Sequence, residues 1–533
     1  MASRPRDWTA VRAHRVTASA ASVTGWLRDA ADAHGEIRRG DIDAVATAAH
    51  LPLATVAGSA SFYADLTEPR PISVCDGTGC FVARGGRPAA PGADERSVYC
   101  LGSCYAAPAE LHGDTLLSGP QRTPAPSIPY ACHAAEPVVL AGLVGGAQPW
   151  QVWTEVLETR RQHEIWHEVV RSGLRGRGGA EYVVSAKWRA AVRNPGPRYV
   201  VANGDEGDPG SYCDRLLMEY DPHRVLEGMA LCAAAVGADR GIVLVRSEYP
   251  AAARTMRAAI DQARASGQLG RDIHGSGLDL DVTVQIGAGA YVAGEETALL
   301  RSLEGLRGTV QTRPPYPTEC GYGGRPTVLQ NVETLAAVPW IVRNCGESYA
   351  KLGRPEETGT KLVCLNSEFT RPGVYEVEFG ASLRWIVEDL GGGLRDGHRL
   401  RALQVGGPLG GFLAPDELDI GLATADLAER GVSLGHGSLV AVPDTVGAVD
   451  LLRQLWTFAA RESCGACAPC RVGTRRGQEL AERMDATAPA ADATMRRLLD
   501  IMRTGSMCAF GTGVAAAVRS LLRVYGIHDR GWL

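Results

Sequence analysis

Cys464, Cys467 and Cys470 follow a C-x2-C-x2-C spacing, and 37 residues separate the last of them from Cys508. A short loop folds three such thiolates around one centre, and a distant cysteine closes it. Four thiolates suit a [4Fe–4S] cluster or tetrahedral zinc, and spacing alone leaves both open. Pro469 restricts the loop and removes one N–H donor. Nearer the start, Cys75-x4-Cys80 and Cys100-x3-Cys104 form two pairs. Each pair follows a short run that reads as a strand, so both converge at one end of a sheet. They suit a [2Fe–2S] cluster, or a degenerate site that keeps cysteines without metal. Cys132, Cys213, Cys232, Cys320, Cys345 and Cys364 lack ligand spacing and read as small buried hydrophobes.

Three glycine-rich segments carry the second kind of chemistry. SGLRGRGGA (172–180) leads to Lys187. Its backbone N–H groups can approach a phosphate, and Arg175, Arg177 and Lys187 supply charge. The alternative is a flexible basic loop. NGDEGDPG (203–210) follows a predicted strand, where polar side chains of open α/β sheets meet ligands, although Asp-Pro-Gly also suits a plain polar turn. GAGAYVAGEET (287–297) follows another predicted strand; its third glycine comes too late for a dinucleotide fingerprint. Together the three predict a crevice for an anionic cofactor.

The elements that position these groups follow from pattern. Residues 10–67 read as helices, with Val23, Trp26, Leu27, Ala30 and Ala31 on one face. Runs at 198–202, 241–245 and 278–286 read as strands alternating with helices, one of them opened by Pro250, which suggests a parallel sheet. Residues 360–440 read as β-rich. Asp444 is a candidate N-cap, and Met495, Leu498, Leu499 and Met502 form a helical core stripe ending near Gly505. The chain has 533 residues, enough for three to four domains, with 45% hydrophobic and 22% charged residues, so it is not a disordered tail. A net charge of -5 argues against a nucleic-acid partner. No secretory signal or membrane span is read, which predicts a cytoplasmic protein with reduced thiols.

In order, SGLRGRGGA, NGDEGDPG, GAGAYVAGEETALLRSLEGLRG, QNVETL and ESCGACAPCRVGT resemble the flavin-binding, NADH-oxidising subunit of complex I and its relatives. SFYADL, CDGTGC and CLGSCYAAP resemble the small thioredoxin-like [2Fe–2S] subunit of the same module, fused here to the first. The resemblance implies a multidomain α/β protein. It orders a helical bundle (1–68), a thioredoxin-like [2Fe–2S] domain (69–136), an FMN/NAD-binding α/β domain (137–358), a β-grasp-like domain (359–440) and a helical [4Fe–4S] domain (441–533). It also implies FMN contacts at Gly176, Arg177, Gly178, Lys187, Asn203, Asp205, Glu206, Gly294, Glu295, Glu296 and Asn331. NAD-facing positions are Tyr182, Asp208, Glu295, Arg313 and Tyr316. Glu295 would orient the nicotinamide or ribose, while Lys187 and Arg177 counter flavin charge. Both cysteine sets become cluster ligands.

The sequence departs from the family at several points. Glu181 stands where glycine is usual, where its anion would repel dinucleotide phosphates or hydrogen-bond to a ribose. Asp208 replaces glutamate, Gln330 asparagine and Arg313 lysine; Phe510 stands where leucine follows the last cysteine. Segments 201–210, 221–229 and 394–411 look closest to formate dehydrogenase β subunits. The expectation is a diaphorase subunit reducing NAD+ with electrons from a molybdenum or tungsten formate dehydrogenase subunit. The alternatives are a nickel–iron hydrogenase diaphorase, a relay or scaffold subunit that no longer binds NAD, and a zinc-stabilised assembly protein.

Overall fold

The computed structural model describes residues 23–484 and 493–527. The helical reading of 10–22 lies outside the described residues. Helices Val23–His34, Arg39–Ala49 and Leu53–Ala60 pack through Val23, Leu27, Ala31, Ala46 and Val56. The i, i+4, i+8 spacing of the first three buries one stripe. Ser59 Oγ and Tyr63 Oη donate to the carbonyls of Gly305 (2.8 Å) and Leu306 (2.6 Å), fastening these helices to the central part of the chain.

Strands β1 (Ile72–Cys75), β2 (Glu95–Val98), β3 (Ala109–His112), β4 (Thr115–Ser118) and β5 (Thr123–Pro124) form a sheet ordered β2-β1-β3-β4-β5. β1 and β2 run parallel, so Cys75 and the residue after Tyr99 emerge at the same edge. Strand β6 (Tyr130–Cys132) corrects one expected boundary. It lies within 69–136, yet it pairs in parallel with residues 374–376 of a different sheet. Backbone N–H groups of Val138, Val139 and Leu140 donate to the buried Glu376 carboxylate, which anchors the segment there.

The central sheet is entirely parallel, as the alternating pattern suggests. It contains β7 (Tyr199–Gly204), β8 (Arg240–Val245), β9 (Asp281–Ile286) and β10 (Thr327–Asn331), ordered β10-β7-β8-β9. The strand order reverses between β7 and β10, and ligand crevices open at such a switch beyond the carboxyl ends. Asn203 and Asn331 are register partners at that end. Helix Pro222–Val236 starts on proline and stops at left-handed Gly237; helix Pro250–Ala265 also opens on its proline.

A small hairpin, β11 (Gly353–Arg354) and β12 (Glu357–Thr358), precedes the last sheet. That sheet adds β13 (Thr360–Leu365), β14 (Gly373–Glu378), β15 (Leu400–Val405), β16 (Gly411–Leu413) and β17 (Ser438–Pro443) to β6, ordered β16-β15-β17-β13-β14-β6. β17 runs to Pro443, past the expected limit at 440. Helices Ala448–Glu462, Ala468–Glu482, Ala493–Gly505 and Ala509–Val524 follow. Met495, Leu499 and Met502 are buried, as their spacing suggests. Asp444 does not cap: its N–H is bonded to the Arg399 carbonyl, a turn intervenes, and Gly447 takes the N-cap position.

One buried ion pair ties the last sheet to the central one. Lys361 Nζ meets Glu333 Oε2, both side chains are at most 1% exposed, and the N–H of Leu362 donates to Glu333 Oε1. Removing one partner strands a buried charge. Glu333→Ala is expected to cost about 3–5 kcal/mol in denaturant unfolding; a cost below about 1 kcal/mol contradicts a charged pair.

Candidate functional site

The loop after Ser172 turns back on itself. Arg175 bridges Val183, and the Gly176 N–H donates to the Tyr182 carbonyl (2.9 Å). Its glycines face other walls at close range. A Cβ on Gly178 would lie 3.1 Å from Asn331 Cβ; one on Gly179 (φ +95°) would lie 3.2 Å from the Gly435 backbone. The crevice floor therefore joins the loop, β10 and the turn before β17. Asn203 closes another edge, donating from Nδ2 to the Gly294 carbonyl (3.0 Å) and accepting the Asp205 N–H (3.1 Å). Burial, then the opposing pull of Arg246, leaves the Asp205 carboxyl pushed up to about 7.

Four expected residues converge in one charged group. Lys187 Nζ lies 3.5 Å from Glu296 Oε2 and 3.1 Å from the Leu329 carbonyl. Arg313 Nη1 is 2.5 Å from Glu296 Oε1, while its Nη2 stands 3.9 Å from Glu295 Oε1. Glu295 is the N-cap of helix Glu296–Leu303, its Oε2 accepting the N–H groups of Thr297 (2.9 Å) and Ala298 (3.0 Å). Its buried Oε1 has no hydrogen-bond partner among the described residues. Tyr182 and Tyr316, the expected stacking rings, are 57% and 52% exposed. A glycine cradle, an orphaned carboxylate oxygen and exposed rings together fit an anionic flavin and a dinucleotide.

Three of the expected side chains are engaged within the protein. The Arg177 guanidinium does not face the crevice. It donates to Tyr349 Oη (2.6 Å) and the Thr358 carbonyl (2.7 Å) and lies 4.5 Å over the Phe379 ring, which leaves its backbone to the loop. The Glu206 carboxylate is buried at the start of helix Cys213–Tyr220, accepting the N–H groups of Asp214 and Arg215 (each 3.0 Å), where the helix dipole favours an anion. Asp208 accepts the Tyr291 hydroxyl, and burial raises its pKa.

Glu181 sits at φ 50°, a left-handed backbone that favours glycine. Its carboxylate accepts the Thr424 hydroxyl (2.5 Å), which also meets Glu357. One hydroxyl proton cannot serve two carboxylates. Burial first, with Glu357 adding to it, accordingly raises the Glu181 pKa. The anion is thus directed at Thr424 and muted. Glu181→Gly is expected to raise stability by about 1 kcal/mol in thermal unfolding and to leave the KM for NADH within about twofold. A tenfold fall in KM would show instead that the carboxylate repels the dinucleotide.

The N-terminal cysteines are all buried in one group. Sγ of Cys100 lies 3.3 Å from Sγ of Cys104, and the Cys75 thiol contacts Cys100 and Cys80. A Cβ on Gly79 would lie 3.3 Å from the Cys104 sulfur, so the CDGTGC turn leaves room only for glycine there. The C-terminal four also share one neighbourhood. Burial, then neighbouring thiols, pushes Cys470 up to about 12; the Cys508 thiol, up to about 11, feels Cys464 and Glu295. Cys467 and Cys508 sit at the N-caps of helices Ala468–Glu482 and Ala509–Val524, where the helix dipole favours a thiolate. Buried thiols that repel one another fit a metal cluster, whose binding expels their protons.

Residues 169–340 match the family described as the Nuo51 FMN-binding domain, and residues 450–527 the NADH-ubiquinone oxidoreductase-F iron-sulfur binding region. The chain belongs to this family of complex I-type NADH-oxidising flavoproteins. It is an NAD(H) oxidoreductase subunit with FMN-binding and [4Fe–4S]-binding regions. It is 40% identical over 365 residues to the NADP-reducing hydrogenase subunit HndC of Solidesulfovibrio fructosivorans, covering 68% of this chain and 74% of that one. With an NADH-quinone oxidoreductase subunit of Escherichia coli it shares 38% over 367 residues, 68% of this chain and 82% of that one. A chain of the NAD+-reducing [NiFe]-hydrogenase crystallised in the air-oxidized state superposes with a TM-score of 0.81 at 30% identity. That match covers 96% of this chain and 94% of the other, and so extends over the N-terminal sheet. No helix among the described residues is long and apolar enough to cross a membrane.

Proposed function

We propose that the chain moves electrons between NAD(H) and iron–sulfur clusters across the crevice at β7 and β10, in the direction of NAD+ reduction. The observation that carries this is Glu295, whose Oε1 is buried at the crevice without a hydrogen-bond partner among the described residues, while Ala298 on the helix it caps shares an apolar cluster with Cys464 and Cys508. One helix start thus borders both centres. When bound, FMN supplies the conversion between a two-electron hydride and single electrons. The glycine loop from Gly176 to Gly179 lets the backbone approach its phosphate, with Asn203 and Gly294 shaping the opposite wall. Lys187 and Arg313, balanced by Glu296, hold positive charge at the rim. Tyr182 and Tyr316 receive the dinucleotide rings, and Glu295 orients the nicotinamide or its ribose.

Cys464, Cys467, Cys470 and Cys508 hold the [4Fe–4S] cluster, and Cys75, Cys80, Cys100 and Cys104 a [2Fe–2S] cluster that stores an electron or relays it to a partner. Fourteen free thiols, none in a disulfide, suit the reducing cytoplasm. The partner is a large subunit oxidising formate at molybdenum or tungsten, a reading supported by the segments at 221–229 and 394–411. A nickel–iron hydrogenase partner is the second reading, favoured by the hydrogenase relatives in sequence and structure. Metal analysis of the co-purifying large subunit separates them. Molybdenum or tungsten with formate-driven NAD+ reduction is expected; nickel with hydrogen-driven reduction overturns the formate reading.

A further inference from the structure

Beneath the crevice floor lies a charged cluster that no glycine or cysteine motif announces. His436, 5% exposed, places Nδ1 3.0 Å from Ser211 Oγ and 3.5 Å from Glu206 Oε1. Its Nε2 lies 3.2 Å from Asp214 Oδ2 and 3.1 Å from Asn331 Nδ2. Asp208 accepts its backbone N–H, and Cys213 Sγ stands 3.9 Å from Nε2. Behind these, Glu333 is already neutralised by Lys361. Two carboxylates flank one imidazole with almost no access to water, so the group needs a cation. Burial pulls the imidazole pKa down, but the Asp214 carboxylate beside it pushes it up, leaving it well above its ordinary value.

A metal ion is the rival cation. Donor atoms of Glu206, Cys213, Asp214 and His436 lie within 4.8 Å of one another. Hydrogen bonds already satisfy them. Each Glu206 oxygen accepts a helix N–H, and the Asp214 oxygens accept Asn331 Nδ2 (2.6 Å) and the Glu333 N–H (3.1 Å). Burial holds the Cys213 thiol protonated. A proton therefore completes the group without a metal. Asn331 connects it to the crevice, since its Cβ lies against Gly178 and its Oδ1 caps helix Val332–Asn344.

We infer that His436 is a positioning residue: its proton, held between Glu206 and Asp214, offsets the charge of these carboxylates beneath the flavin crevice and raises the flavin midpoint potential. This rests on the reading of the crevice as the FMN site. A hydride from NADH delivers two electrons and one proton. NAD+ departs with its positive charge, and the reduced ring keeps one added negative charge. A proton that offsets the buried carboxylates nearby favours that state. The added charge also raises the proton affinity of His436, so the potential falls more steeply with pH across the range where His436 titrates, above neutrality.

Redox titration of the FMN-loaded chain, followed by flavin absorbance from neutral to alkaline pH, tests this. His436→Gln is expected to lower the potential and abolish the steep segment; Asp214→Asn, lacking one carboxylate, is expected to move that segment to lower pH. FMN stoichiometry and thermal midpoint, measured alongside, identify any variant that has merely lost its fold. Unchanged potentials and slopes in flavin-loaded variants overturn the inference. So does one equivalent of zinc that disappears with His436→Gln. A wild-type chain that binds no FMN overturns both this and the flavin reading.

Discussion

Cys508→Ser should yield a yellow protein that keeps its flavin, loses roughly four irons per chain and shows no [4Fe–4S] EPR signal after reduction. The reason is geometric. Cys464, Cys467 and Cys470 come from one turn, and only Cys508 comes from the far side, at the N-cap of helix Ala509–Val524. A serine still caps that helix, so the local fold survives while the fourth thiolate is lost. The thermal midpoint of the purified protein should fall as well, because a cluster that binds only the folded chain stabilises it. Persistence of the signal would reject Cys508 as a ligand.

Glu295→Gln should reduce NADH-driven dye reduction about 100-fold, equivalent to ~2.7 kcal/mol. The amide oxygen can still accept the Thr297 and Ala298 N–H groups, so the helix cap and FMN content should hold. What disappears is the charge on Oε1, the atom that no described residue satisfies. Arg313, 3.9 Å away, also loses a counterion. Because the effect is on orientation at the reacting centre, kcat should fall more than KM rises. A variant with normal kcat and normal flavin content would remove Glu295 from the reaction.

These predictions draw on residues of different legibility. The grouping of the C-terminal cysteines is readable because three of the four come from one short loop, which fixes local spacing. The parallel sheet is readable between Tyr199 and Ile286, where strand and helix periods alternate cleanly; β10 is not among the strands read from the sequence. Glu206 and Arg177 are harder, since a motif names a residue without saying whether side chain or backbone faces the ligand. Glu206 turns inward to a helix N-terminus, and Arg177 stacks on Phe379 from another sheet. His436 carries no local signal at all. It meets Asp214, Glu206 and Asn331 only because the turn before β17 docks on Gly179, a tertiary event. Strand β6 is hidden for the same reason: three residues have no period, and their partner lies more than two hundred positions away. Asp444 satisfies the capping preference, but a turn carries the chain to Gly447 before the helix begins.

In the proposed function, one crevice passes reducing equivalents between NAD(H) and the Cys464, Cys467, Cys470 and Cys508 centre. Anaerobic titration of the purified chain with NADH, watched by flavin absorbance and EPR together, tests it most directly. Bound FMN should bleach together with the appearance of a reduced iron–sulfur signal. A colourless, zinc-containing protein, or a flavin that NADH leaves oxidised, would contradict it.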